Sequence, residues 1–153
     1  MRWLFVCVGK KSKHRLTAAT DEWLSRLNRY IDVAVRYVTP PTGMLSPQDR
    51  RAKEAKRIQT ELPPRRCLIV LDPSGIVCDS DRFSRLLTRW REAGRQPVFV
   101  IGGAYGLDQA LLDAADTILS LSHLTFTHQT AKLVLVEQLY RGFCLLDGSP
   151  FPK

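Results

Sequence analysis

The stretch VFVIGGAYGLD, Val98 to Asp108, sets the pattern for the whole chain. An apolar run from Val98 to Ile101 meets glycines at Gly102, Gly103 and Gly106, then a residue suited to capping a helix. Strand, tight turn and helix is the half-unit of an α/β domain. Working outward, four further apolar runs read as strands: WLFVCV (3–8), VAVRYV (33–38), CLIVL (67–71) and TILSL (117–121), with the central one at 97–101. Most are continuous rather than alternating, as strands covered on both faces are. Helical patterns fall between them near 15–30, 47–61, 80–93 and 107–115, and a last one near 129–146. The second starts clearly, with Ser46 as N-cap and Pro47 at the first helical position. This alternation predicts one α/β domain over 1–153, a mainly parallel sheet flanked by helices.

Glycines at a strand's carboxyl end admit a ligand or a second backbone, and ligands of open α/β sheets settle there. The spacing G-G-x-x-G is neither the dinucleotide fingerprint nor a phosphate loop, and a tight strand-to-helix turn explains it equally well. Two other strand ends face the same way. CLIVLDPSG closes in a turn at Asp72, Pro73, Ser74 and Gly75, and TILSLSHLTFTHQ runs into an uncharged loop from Ser122 to Thr127. Mixed apolar and hydroxyl side chains there suit a neutral aromatic ring and its hydrogen bonds.

His128, at the start of the last helix, is a candidate acid or base; capping or packing under the loop is the alternative. Arg141 stands in an otherwise apolar helix, four residues after Glu137, so a helical ion pair of roughly 0.2–0.5 kcal/mol competes with any site role. That helix carries apolar residues on several faces, Leu133 to Val136 and then Leu139, Tyr140, Phe143, Cys144, Leu145 and Leu146. Either it is fully internal or a symmetric partner chain covers it.

Charge is distributed unevenly. Residues 1–66 hold fifteen Lys and Arg against six Asp and Glu, a balance of +9; residues 67–153 hold eight against nine, a balance of −1. A polyanionic partner, with salt-sensitive affinity, is the pointed reading; solubility alone is the bland one. No apolar run approaches the roughly 18 residues of a membrane span. Cys7, Cys67, Cys78 and Cys144 form no C-x-x-C pair and no ligand-like spacing with His14, His123 or His128. A reducing, cytoplasmic location without structural metal is expected. No G-x-S-x-G and no cysteine–histidine pairing marks a nucleophile.

Taken in order and at their separations, VGK (Val8–Lys10), LDPSG, FVIGGAYGL, LSHLTFTHQ and VLVEQLYRGF resemble the RlmH family, bacterial 23S rRNA pseudouridine-N3 methyltransferases of the SPOUT superfamily. The resemblance spans essentially the whole chain. It implies a single SPOUT-type domain with a C-terminal trefoil knot, an exception to the rule against threaded chains, acting as a homodimer. It implies S-adenosylmethionine as cofactor, bent in the knot cleft and held largely by backbone at Leu71, Gly103, Ser122, His123, Leu124, Thr125, Phe126 and Thr127. The implied substrate is a pseudouridine in a subunit-interface stem-loop of ribosomal RNA, met on assembled ribosomes. His128 and Arg141 match positions proposed for the catalytic site, His128 for positioning or proton removal and Arg141 for anchoring RNA or the developing anion. No metal and no membrane enter.

Two departures from the family pattern stand out. Its members commonly end in Tyr-His, where this chain has Phe151-Pro152-Lys153, and Thr127 replaces a proline before the histidine. These changes keep two alternatives open: a SPOUT methyltransferase of another RNA base, or a non-catalytic RNA- or ribosome-binding protein of the same fold.

Overall fold

In the computed structural model, residues 1–11 and 15–151 are described. His14 and the tail residues Pro152 and Lys153 therefore lie outside them. The elements alternate along the chain: β1 (Trp3–Val8), α1 (Thr17–Leu27), β2 (Val33–Val38), α2 (Pro47–Glu61), β3 (Arg66–Ile76), α3 (Ser80–Glu92), β4 (Gln96–Ile101), α4 (Gln109–Ala114), β5 (Thr117–Leu119) and α5 (His128–Asp147). The strands form one sheet in the order β2-β1-β4-β3-β5, and each neighbouring pair is parallel. The expected parallel α/β architecture is present.

Continuous apolar strands are explained by two covered faces. Side chains alternate along a strand, so Trp3, Phe5 and Cys7 point to one layer, with Phe99, Leu135, Leu139 and Phe143, while Leu4, Val6 and Val8 point to the other, with Ile58, Val98, Val100 and Leu111. Aromatic rings knit the first layer. Phe99 meets Trp3, Phe5 and Trp90 at centroid distances of 5.7, 5.4 and 5.4 Å. In that layer α5 packs against both α1 and α3. Its apolar residues on several sides are thus mostly internal, although Leu145 and Leu146 remain exposed.

The starts of α2, α3, α4 and α5 are fixed locally by side chains, while α1 has no side-chain cap. Ser46 accepts from the Asp49 N–H at 3.0 Å, Asp79 from Arg82 at 2.7 Å, Asp108 from Ala110 at 2.9 Å and Thr127 from Thr130 at 3.3 Å. These caps satisfy amides that no helical carbonyl reaches.

One segment departs from the sequence reading. Asp72 to Gly75 is not a turn leaving the sheet; β3 continues to Ile76, and both Leu71 and Ile76 pair with Leu119 across a register shift. The turn chemistry survives inside the bulge, where Asp72 Oδ1 accepts from the Ser74 N–H at 2.9 Å and its hydroxyl at 2.6 Å. Ser120 N–H then donates to the Ile76 carbonyl at 2.9 Å. Gly75 is required by contact: a Cβ there would lie 2.5 Å from the Ile118 carbonyl oxygen. The β3 bulge and β5 meet backbone to backbone at this point.

Candidate functional site

The carboxyl ends of β3, β4 and β5 and the first turn of α5 enclose a cleft of about 550 Å³. Three loops build it: Leu71 to Pro73 in the bulge, Gly102 to Leu107 after β4, and Leu121 to Thr127 before α5. Its lining is mostly apolar side chain and backbone, the composition of a small-molecule site. Of the residues the sequence singled out, Leu71, Gly103, Ser122, Leu124, Thr125, Phe126 and Thr127 all line the cleft, as does His128. His123 is exposed and stands outside the lining.

The loop before α5 is organised by its own hydroxyls. Ser122 Oγ accepts from the Leu124 N–H at 3.0 Å, and the Ser122 carbonyl accepts from Ser120 Oγ at 2.9 Å. That leaves Leu124 and Thr125 exposed at the cleft's rim. Across it, the glycine loop is closed by Gly106 N–H donating to the Gly103 carbonyl at 3.1 Å. At Gly103 the space for a side chain is taken by other side chains rather than by a second backbone. A Cβ there would lie 3.1 and 3.2 Å from the two carboxylate oxygens of Glu54 and 3.2 Å from Val8.

Arg141 stands apart from this cleft. Thirteen residues beyond His128 on one helix place it roughly 20 Å away along the axis. Its guanidinium lies 3.6 Å over the Phe151 ring, which stacks at 5.8 Å on Trp23, and its Nη2 is 3.6 Å from Glu137. The helical ion pair that competes with a site role is thus present, and the guanidinium also covers the ring of the altered tail.

Beside His128 the sequence reading missed several residues. The His128 Cε1 atom lies 3.2 Å from the point a Cβ on Gly9 would occupy. A second, smaller cavity of about 40 Å³ adjoins it, bordered by Lys10, Asp21, Tyr37 and Lys132. Lys132, one turn after His128 on the same helix, donates to the Tyr37 hydroxyl at 2.6 Å. The i, i+4 spacing of His128 and Lys132 was the signal available; Tyr37 comes from a distant edge strand and carried none.

Electrostatics narrow the chemistry. Burial pushes the Cys7 thiol up to about 11, against the pull of Lys132, so it stays protonated near neutrality and is a poor nucleophile. Burial likewise raises the Glu54 carboxyl, against Arg50 and Arg57. No metal-holding group of His, Cys, Asp and Glu occurs among the described residues, and no helix among them is long and apolar enough to cross a membrane. What the cleft offers is shape, backbone groups and one imidazole at its edge.

Comparison with known proteins extends this reading. The family model described as "Predicted SPOUT methyltransferase" matches residues 1–151. Proteins named ribosomal RNA large subunit methyltransferase H are similar along their full length. That of Anaeromyxobacter sp. is 38% identical over 153 residues, covering 100% of both chains. That of Acetivibrio thermocellus is 37% identical over 159 residues, again 100% of both. The Geotalea daltonii protein is 36% identical over 152 residues, 99% of each. A match along essentially the whole length, with the glycine loop, the hydroxyl loop and His128 gathered on one cleft, makes this chain a member of the RlmH family of SPOUT methyltransferases.

Proposed function

We propose that this ribosomal RNA methyltransferase uses S-adenosylmethionine to methylate N3 of a pseudouridine in the large-subunit RNA of assembled ribosomes, working as a homodimer. The observation that carries the reading is the convergence of Leu71, Gly103, Ser122 and Leu124 to Thr127 on a single cleft. Its volume lies within the usual range for a nucleoside-sized ligand, ~300–1,000 Å³. Bound there, the cofactor supplies an electrophilic methyl group on a sulfonium. Backbone around Gly102–Leu107 and Leu121–Thr127 holds and orients it, and the apolar walls exclude water. Orientation of this kind provides much of the rate of an in-line displacement.

His128, bordering both cavities, is suited to position the base or accept the N3 proton. Arg141, distant from the cleft of its own chain, fits a role at a partner's cleft, and the exposed Leu145 and Leu146 fit a contact between copies. In this reading the C-terminal region forms the trefoil knot of the family. RNA is met by the basic first half, including exposed Lys53 and Lys56 on α2.

The test supplies methyl-labelled S-adenosylmethionine to unmodified ribosomes, separated subunits and bulk transfer RNA, followed by nucleoside mass spectrometry. Label on pseudouridine N3 of large-subunit RNA in intact ribosomes supports the reading. Label on another base redirects the substrate. No label, with cofactor binding shown separately, favours the RNA- or ribosome-binding alternative and makes Phe151 and the residues after it the first suspects.

A further inference from the structure

The glycine loop is backed by an acid that the function above leaves without a task. Glu54 on α2 is only 4% exposed. Its carboxylate oxygens approach the Cβ position of Gly103 to 3.1 and 3.2 Å, and Gly103 itself lines the cleft. A single thickness of backbone therefore separates this carboxylate from the ligand volume.

Neighbouring cations act on Glu54 only through space. Arg50 donates to the carbonyls of Pro41 at 2.9 Å and Gly43 at 3.2 Å, and its buried Nε has no acceptor. Arg57 donates to the Thr39 carbonyl at 2.5 Å. No ion pair among the described residues includes Glu54. Burial raises its carboxyl, against the pull of Arg50 and Arg57, so the carboxylate form is held at a cost to stability. A buried acid with no ion pair among the described residues, placed directly behind a loop that faces a ligand, calls for a function.

We propose that Glu54 is a specificity-determining residue of the cofactor cleft: acting through the backbone at Gly103, its carboxylate favours the cationic sulfonium form of the cofactor over the neutral thioether left after methyl transfer. This rests on the S-adenosylmethionine reading above. When the methyl leaves, the carbon–sulfur bonding pair returns to sulfur and the positive charge there disappears. The missing side chain at Gly103 lets the anion sit that close. At an effective dielectric constant of about 20, opposite charges within roughly 10 Å of one another attract strongly enough to discriminate by roughly tenfold. Product release then gains from the same residue that helped the cofactor in.

Calorimetric titration of the full chain tests this with three ligands: S-adenosylmethionine, S-adenosylhomocysteine and sinefungin, whose amine carries positive charge where the thioether carries none. Glu54→Gln should weaken both cationic ligands by roughly tenfold and the thioether by less than about twofold, with an unchanged or higher Tm. Glu54→Asp, which keeps the charge, should preserve the preference between ligands even if the loop shifts. Equal weakening of all three ligands, or a Glu54→Gln variant with wild-type affinities, overturns the proposal. A wild-type chain that binds none of them shows a different failure, that of the cofactor assignment on which the proposal rests.

Discussion

Gly103 tolerates no side chain because of what stands behind it. In Gly103→Val the Cβ alone would lie 3.1 and 3.2 Å from the Glu54 carboxylate oxygens and 3.2 Å from Val8, and two methyls extend beyond it, so the loop must move into the cleft. The expected result is at least a tenfold loss of cofactor affinity by titration, on the scale of ~1.4 kcal/mol or more. Unchanged affinity would remove Gly103 from the site. Asp116 allows a prediction of a different kind. Burial alone would raise its carboxyl, but the Leu68 N–H at 2.7 Å and the Arg95 guanidinium at 2.9 Å outweigh that and hold it below the ordinary value. Because the folded value is the depressed one, its stabilisation is present above the unfolded carboxylate range and is lost as pH falls through the folded value. Asp116→Asn should cost about 1 kcal/mol at pH 7 in urea unfolding, a figure kept low because the pair is partly exposed. The gap to wild type should close in strong acid. Single residues are unevenly legible in the sequence: Gly103 announces itself by its type, while nothing singles out Glu54. Its burial depends on where α2 packs, which no local pattern reveals.

Elements were read more easily, since capping residues and apolar runs are local signals. Ser46-Pro47 marked the start of α2, and β1 and β2 have the boundaries expected from their apolar runs. The β3 bulge was missed because Asp72-Pro-Ser-Gly75 is a good turn sequence, and only pairing with β5, more than forty residues on, keeps it in the sheet. Thr127 makes the clearest prediction at this scale. Its backbone sits at φ −62° and ψ 153°, the conformation proline prefers. The Thr for Pro departure therefore leaves the path of the chain into α5 unchanged and adds a side-chain cap. Thr127→Pro should keep the fold, and both it and Thr127→Ala should lower stability by roughly 0.5–2 kcal/mol through loss of the cap. A collapse of the helical circular dichroism signal in Thr127→Pro would contradict this backbone match.

For the molecule as a whole, charge asymmetry makes a measurable claim. If α2 meets RNA phosphates, replacing exposed Lys53 and Lys56 with Ala should make the salt dependence of RNA binding shallower by about 1.5 in log–log slope. Cofactor titrations should not change. An unaltered slope would move the RNA surface elsewhere. The parallel sheet was legible at this scale from continuous apolar strands. The strand order was not, because it depends on which long crossover follows which, and five similar apolar runs do not encode that individually.

The place of α5 has a consequence for how the protein is made. It lies between α1 and α3 over one face of the sheet, yet the ribosome synthesises it after every strand. Trp3, Phe5, Phe99 and Leu119 all wait for Leu135, Leu139 and Phe143 to cover them. A nascent chain that has emerged only as far as β5 therefore holds an open apolar face and cannot settle. Completion of folding is tied to the emergence of α5 from the exit tunnel, and until then that face is a natural target for chaperones.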